Sequence, residues 1–155
     1  AGVDLAPNPD AQDLNVYNVY EGRVAKIVIN GKNDHGLGNT VIVEHPDFKV
    51  YSLYGHLSKI NPALKEGNFI KKREIIGQVG ATGYGCNYWR IGKDGCYEKE
   101  KLDIHLHFEI KTKPTLSSPI GVKCFLDGEY KNCYGYVPDN PEEFGYYNPL
   151  KFLAK

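Results

Sequence analysis

From Asp103 to Ile110 polar and apolar residues alternate one for one. A period of two marks a half-buried strand, because successive side chains of a strand leave on opposite faces. The pattern predicts Leu106, Phe108 and Ile110 in a core, and His105, His107 and Glu109 together on the other face. Other short runs rich in Val, Ile and Tyr are bounded by turn residues. They predict strands at Gly22–Asn30, Asn39–His45, Lys49–Leu57, Glu74–Val79 and Leu102–Lys111. Asn30-Gly31 is a hairpin signal, and Pro46-Asp47 supplies a second turn. Helical patterning is scarce. Asn140-Pro141-Glu142-Glu143 reads as an N-cap, a first-turn proline and two carboxylates at a helix start. Asn148-Pro149 begins a last short turn through Leu153. The chain shows no internal repeat. The predicted fold class is all-β, an antiparallel sheet domain with long loops and short helical turns.

A length of 155 residues suits a single domain over 1–155 that buries its own core. Two segments, 84–101 and 112–148, read as irregular insertions, stapled or functional. No apolar run approaches the ~20 residues of a membrane span. The 19 basic residues balance the 19 acidic ones. That argues against nucleic acid or an anionic membrane as the main partner. A monomer is expected.

The four cysteines are Cys86, Cys96, Cys124 and Cys133. Their grouping favours the pairs Cys86–Cys96 and Cys124–Cys133, although four cysteines permit three pairings. No C-x-x-C spacing supports zinc binding by them. Disulfides imply an oxidising compartment: secreted, periplasmic or cell-surface. With no methionine and no visible signal peptide, a processed form or a trimmed domain is expected.

Two imidazoles on one strand face begin a metal site on rigid backbone. Taken alone, His105 and His107 read as partly buried strand histidines that merely pack before they read as a site. His56 reads as a site residue or as the end of a strand. His45 reads as structural or exposed, and His35 as solvated in a Gly-rich loop. Glu109 either orients a ligand or is an ordinary exposed strand carboxylate. Tyr84, Tyr88, Trp89 and Tyr97 cluster in the first insertion, where they wall a groove or form a small local core.

Four further segments change that balance. They are Ala1-Gly2-Val3-Asp4-Leu5-Ala6, Gly38–His45, Tyr54-Gly55-His56-Leu57-Ser58 and Gly67–Gly83 with its Gly-Gln-x-x-Gly-x-Thr-Gly ending. Together with His-Leu-His-Phe-Glu they resemble the lysostaphin-type zinc metallopeptidases, which cut peptide bonds in bacterial peptidoglycan. The likeness covers about residues 1–111 and Asn148–Leu153. The Gly67–Gly83 segment is also similar to biotinyl and lipoyl carrier hairpins, but Lys71-Lys72 lacks the Met or Asp context those use.

The resemblance implies an all-β domain of the lysostaphin type and a zinc cofactor. It makes Asp4 and His107 metal ligands, with His56 and His105 as catalytic histidines beside them. The family pattern also has a histidine four residues before Asp4, one position ahead of Ala1. Three readings stand: that residue precedes Ala1 in the protein, the site is defective, or the Ala1 amine takes its place. The implied activity is hydrolysis of stem or cross-bridge peptides in peptidoglycan. The alternative is an inactive family member that binds wall or regulates a partner. In the implied chemistry one imidazole takes a proton from water and another steadies the oxyanion. Which of His56 and His105 does which stays open. Activity is expected to fall below about pH 6, where imidazoles protonate.

Overall fold

The computed structural model describes residues 1–8, 10–29, 36–83, 104–116 and 140–154, and the strand backbones of 91–92, 95–96, 123–126 and 129–132. The strands are β1 (Val3–Leu5), β2 (Asn15–Tyr17), β3 (Gly22–Val28), β4 (Thr40–His45), β5 (Val50–Gly55), β6 (Lys59–Ile60) and β7 (Phe69–Ile70), followed by β8 (Ile75–Gln78), β9 (Ile91–Gly92), β10 (Gly95–Cys96), β11 (Leu106–Lys111), β12 (Lys123–Leu126), β13 (Glu129–Asn132) and β14 (Tyr146–Tyr147). One short helix, α1 (Pro149–Leu153), follows. The fold is all-β and antiparallel, as the patterning predicts.

The main sheet has seven strands in the order β1-β11-β5-β4-β3-β7, with β14 pairing β11 beyond β1. A three-stranded sheet, β2-β8-β6, packs on one face of it. Between them lies the principal core, including Val16, Val41, Val43, Tyr54, Leu57, Ile76, Phe108 and Ile110. The opposite face carries a smaller apolar cluster of Leu37, Ile42, Leu53 and Leu116. Central β4 is apolar on both faces for this reason: Val41 and Val43 serve one core, and Ile42 serves the other.

The expected strands are present but shorter. β3 stops at Val28 and pairs with β4 from Val28↔Thr40. The Asn30-Gly31 turn falls on residues outside those described. Pro46-Asp47 does form a turn, a single 3₁₀ turn over Pro46–Phe48 closed by Lys49 at φ 54°. The strand expected from Leu102 begins at Leu106, and His105 contributes one isolated bridge to Gly80. The helix expected at Asn140 is one 3₁₀ turn, Pro141–Phe144. There the Asn140 side chain donates to Glu143 Oε1 (2.9 Å) rather than capping the backbone. Asn148 does cap its helix, accepting from Leu150 N at 3.0 Å. The insertions are not wholly irregular: β9 pairs β10 in the first, and β12 pairs β13 in the second. The expected cysteine pairing, the aromatic cluster and His35 depend on residues outside those described. Among the described residues no helix is long and apolar enough to cross a membrane.

Candidate functional site

The site is assembled by strand register. β1 and β5 flank β11, so that Asp4 pairs with His107 on one side and Gly55 pairs with it on the other. Directly opposed residues share a face at short range. Asp4 Oδ1 therefore lies 2.6 Å from His107 Nδ1, and His105 Nε2 is 3.8 Å from the same oxygen. Gly55 packs close to His107: an added Cβ would lie 3.4 Å from His107 Cβ, in ordinary contact.

His56 comes from the turn after β5. Its φ is +58°, a left-handed conformation uncommon outside glycine. That strain is held by backbone bonds from His56 N to Leu37 O (2.7 Å) and from Leu57 N to Asn39 O (3.1 Å). The turn brings the His56 ring 4.6 Å from that of His105 and 6.0 Å from that of His107, centroid to centroid.

The glycine-rich segment after β8 backs this arrangement. Thr82 O accepts a hydrogen bond from His56 Nδ1 at 2.8 Å. A carbonyl can only accept, so the proton sits on Nδ1 and leaves the Nε2 lone pair available. The Thr82 hydroxyl donates to Leu57 O (2.9 Å) and accepts from Asn39 N (3.0 Å), which fixes the loop. Gly80 accepts His105 N at 3.1 Å and packs directly against Ser58. Gly38 and Gly83, both at positive φ, cross so closely that a Cβ on either would strike the other's chain. The Gly-x-Thr-Gly motif thus carries His56, a role that sequence spacing alone does not announce.

Behind His107 the same face of β11 continues with Glu109 and Lys111. His107 Nε2 is 3.1 Å from Glu109 Oε1, and Lys111 Nζ is 3.4 Å from Glu109 Oε2. The Glu109 side chain is 0% exposed, so the exposed-carboxylate reading is corrected. Lys111, which the strand pattern did not single out, is buried and donates to Thr115 O at 2.9 Å. The signal was available: position 111 continues the alternation of 105, 107 and 109.

These surroundings separate the proton affinities. Burial pushes His56 down to about 4, against its bond to Thr82. Burial also works against a charge on His107, but hydrogen bonds and charges from Asp4 and Glu109 outweigh it and push the ring up to about 9. The His107 hydrogen bond, opposed by desolvation, holds the Asp4 carboxyl below the usual range. Burial lowers Lys111 to about 8 against the pull of Glu109.

Asp4 and His107 supply one oxygen and one nitrogen donor in contact, which is the donor chemistry that zinc takes. They fit two ligand positions. Among the described residues no group of three or more His, Cys, Asp or Glu has metal-holding geometry. The third position that the resemblance requires lies ahead of Ala1.

Comparison with known proteins agrees with the fold. The model of Peptidase family M23 matches residues 1–119. The catalytic domain of the antimicrobial peptidase lysostaphin from Staphylococcus simulans aligns at 23% identity and TM-score 0.58, covering 99% of this chain and 78% of that one. A structure of the antimicrobial peptidase lysostaphin aligns at 22% identity and TM-score 0.56, covering 99% of this chain and 43% of that one. A lytM from Ruminococcus gnavus aligns at 20% identity and TM-score 0.50, covering 90% and 39%. No curated protein matches.

Proposed function

The chain belongs to Peptidase family M23, and from that premise we propose that it is a zinc-dependent endopeptidase cutting peptide bonds in peptidoglycan stem or cross-bridge peptides. Residues 1–155 form its peptidase domain, and it acts outside the cytoplasm, where wall is reached. The observation that carries the reading is the convergence of Asp4 and His107, 2.6 Å apart, with the His105 and His56 rings edge to face beside them.

Asp4 and His107 would hold zinc, and the family pattern would add a histidine four residues before Asp4. When bound, zinc lowers the pKa of a water ligand to about 7 and polarises a carbonyl. The remaining work belongs to the histidines. His56 is held neutral by burial and carries its proton on Nδ1, so its Nε2 is a proton acceptor at neutral pH. This favours His56 as the base over the oxyanion role. Its bond to Thr82 keeps it aimed, and the same bond steadies the imidazolium after it takes a proton. His105 stands across from it, with Nε2 toward Asp4, placed to support charge developing on the substrate oxygen.

The test is zinc analysis and amine release from cell walls with the full-length protein. About one zinc per chain and steady release are expected, with release abolished in His105→Ala. Zinc-free protein that binds wall without cutting it would instead establish the inactive, wall-binding reading.

A further inference from the structure

Four polar side chains form a line across one face of the sheet edge: Asp4, His107, Glu109 and Lys111, ending on Thr115 O. Each contact is short: 2.6 Å from Asp4 to His107, 3.1 Å from His107 to Glu109, 3.4 Å from Glu109 to Lys111 and 2.9 Å from Lys111 to Thr115. Exposure falls from Asp4 to Glu109, and Lys111 is buried as well. The Asp4 side chain is 64% exposed, that of His107 17% and that of Glu109 0%. Burying a carboxylate and an ammonium together is costly unless both are held by partners. A fold that only needed filling there would use an apolar pair, as Ile42 and Leu53 do nearby.

Gly2 adds an independent observation. An added Cβ at Gly2 would lie 2.9 Å from His107 Nε2, 2.9 Å from Glu109 Cγ and 2.7 Å from Phe108 O. The backbone of the first residues therefore lies directly over the contact between His107 and Glu109. Nothing larger than glycine fits between the chain and that contact.

We propose that Glu109 is a positioning residue: it fixes the proton of His107 on Nε2, so that Nδ1 is the nitrogen turned to the metal, and Lys111 holds Glu109 in place for this task. The inference rests on the zinc reading above and adds residues to it. The logic is that of a carboxylate behind a metal-bound histidine, which sets the tautomer, orients the ring and strengthens it as a donor. Lys111 is braced by Thr115 O and acts through Glu109 rather than on substrate. Gly2 is required because any side chain would part the two.

The experiment is a metal titration of the full-length protein with zinc against a competing chelator, repeated with cadmium and ¹⁵N-labelled histidine. The cadmium measurement reports which ring nitrogen of His107 carries the metal. Unchanged protein should bind through Nδ1, with the Nε2 proton visible and slow to exchange. Glu109→Ala and Lys111→Met should weaken zinc binding by about 10- to 100-fold. Glu109→Ala should also lose the protected Nε2 proton or bind through Nε2. Glu109→Gln preserves shape and an acceptor oxygen, so it should keep the Nδ1 linkage with a smaller loss of affinity. This nearly isosteric variant keeps the test sound if Glu109→Ala does not fold. Unchanged affinity and a protected Nε2 proton in folded Glu109→Ala would overturn the positioning role alone, as would an Nε2 linkage in folded Glu109→Gln. Failure of the unchanged protein to take metal would overturn the zinc reading and this inference with it.

Discussion

His45 and His107 sit in one sheet, and both rings have their two nitrogens engaged, yet they are built for opposite ends. His45 is 1% exposed. Its Nδ1 donates to Glu21 O at 3.0 Å, and its Nε2 lies 2.8 Å from the Ser52 hydroxyl. That hydroxyl reaches Tyr54, whose own hydroxyl donates to Asn18 Oδ1, each over 3.1 Å. These partners are all neutral, and Tyr20 covers the ring edge-on at 6.1 Å. Burial accordingly lowers the proton affinity of His45. His107 lies between two carboxylates, which raise it to about 9 despite burial, and the exposed Asp4 opens it to solvent. A histidine inside a sheet becomes a candidate for chemistry through charged neighbours and access. Burial with neutral partners makes it a structural strut.

The largest effect should come from exchanging damage between the two. His107→Ala is expected to remove zinc and wall hydrolysis together while the fold survives, as metal analysis, amine release and circular dichroism will show. His45→Asn should do the reverse. It leaves Ser52 or Glu21 without its partner and should lower the unfolding free energy by about 2–4 kcal/mol. Activity per folded molecule should stay intact, and urea denaturation measures the difference. A large activity loss in folded His45→Asn would erase the distinction.

The next largest effect concerns the base. His56→Ala should reduce kcat by roughly 10²- to 10⁴-fold with zinc content unchanged. Loss of zinc in that variant would make His56 a ligand and reassign its role.

The two histidines should also respond oppositely to pH. Zinc must displace a proton from His107, so zinc affinity should rise by up to about tenfold per pH unit from neutrality to about 9. Chelator competition at several pH values reads this slope, and a flat profile would contradict the raised proton affinity. His45 contributes to stability instead. Its folded value lies below the ordinary 6.5, so the unfolded chain binds the proton more readily. The contribution is complete above pH 6.5 and is lost as pH falls below it. His45→Asn should therefore flatten the loss of unfolding free energy in that acid window, relative to the unchanged protein.

The smallest effects belong to glycines on either side of the site. Gly55→Ala places its Cβ in ordinary contact, 3.4 Å from His107 Cβ and Leu37 Cδ2. It should shift stability by less than about 1 kcal/mol and leave zinc content unchanged. Gly80→Ala drives its Cβ into the Ser58 backbone and should destabilise measurably more. Thermal melts of the pair rank the two contacts.

Much of the frame is legible in the residues themselves. The alternation from His105 to Ile110 separates core from site because a strand has only two faces, and Phe108 and Ile110 are indeed buried. The order of the Gly-Val-Asp, Tyr-Gly-His-Leu and His-Leu-His-Phe-Glu segments points to the family that the match over residues 1–119 establishes. Short strands such as β6 and β7 escape such reading, since two residues show no period. The 3₁₀ turn at Pro141–Phe144 escapes it too, because the start signals of a helix say nothing of its length.

What the chain alone determined is which side chains share a face, for that follows from covalent geometry and the period of a strand. Tertiary structure decided the rest. It chose the register that sets Asp4 opposite His107 across 103 residues of chain, bent His56 into a left-handed turn, and carried Thr82 behind it. It also buried Glu109 and Lys111 together. Those outcomes depend on contacts between distant segments, and the energy of a distant contact is not written in the local sequence on either side of it.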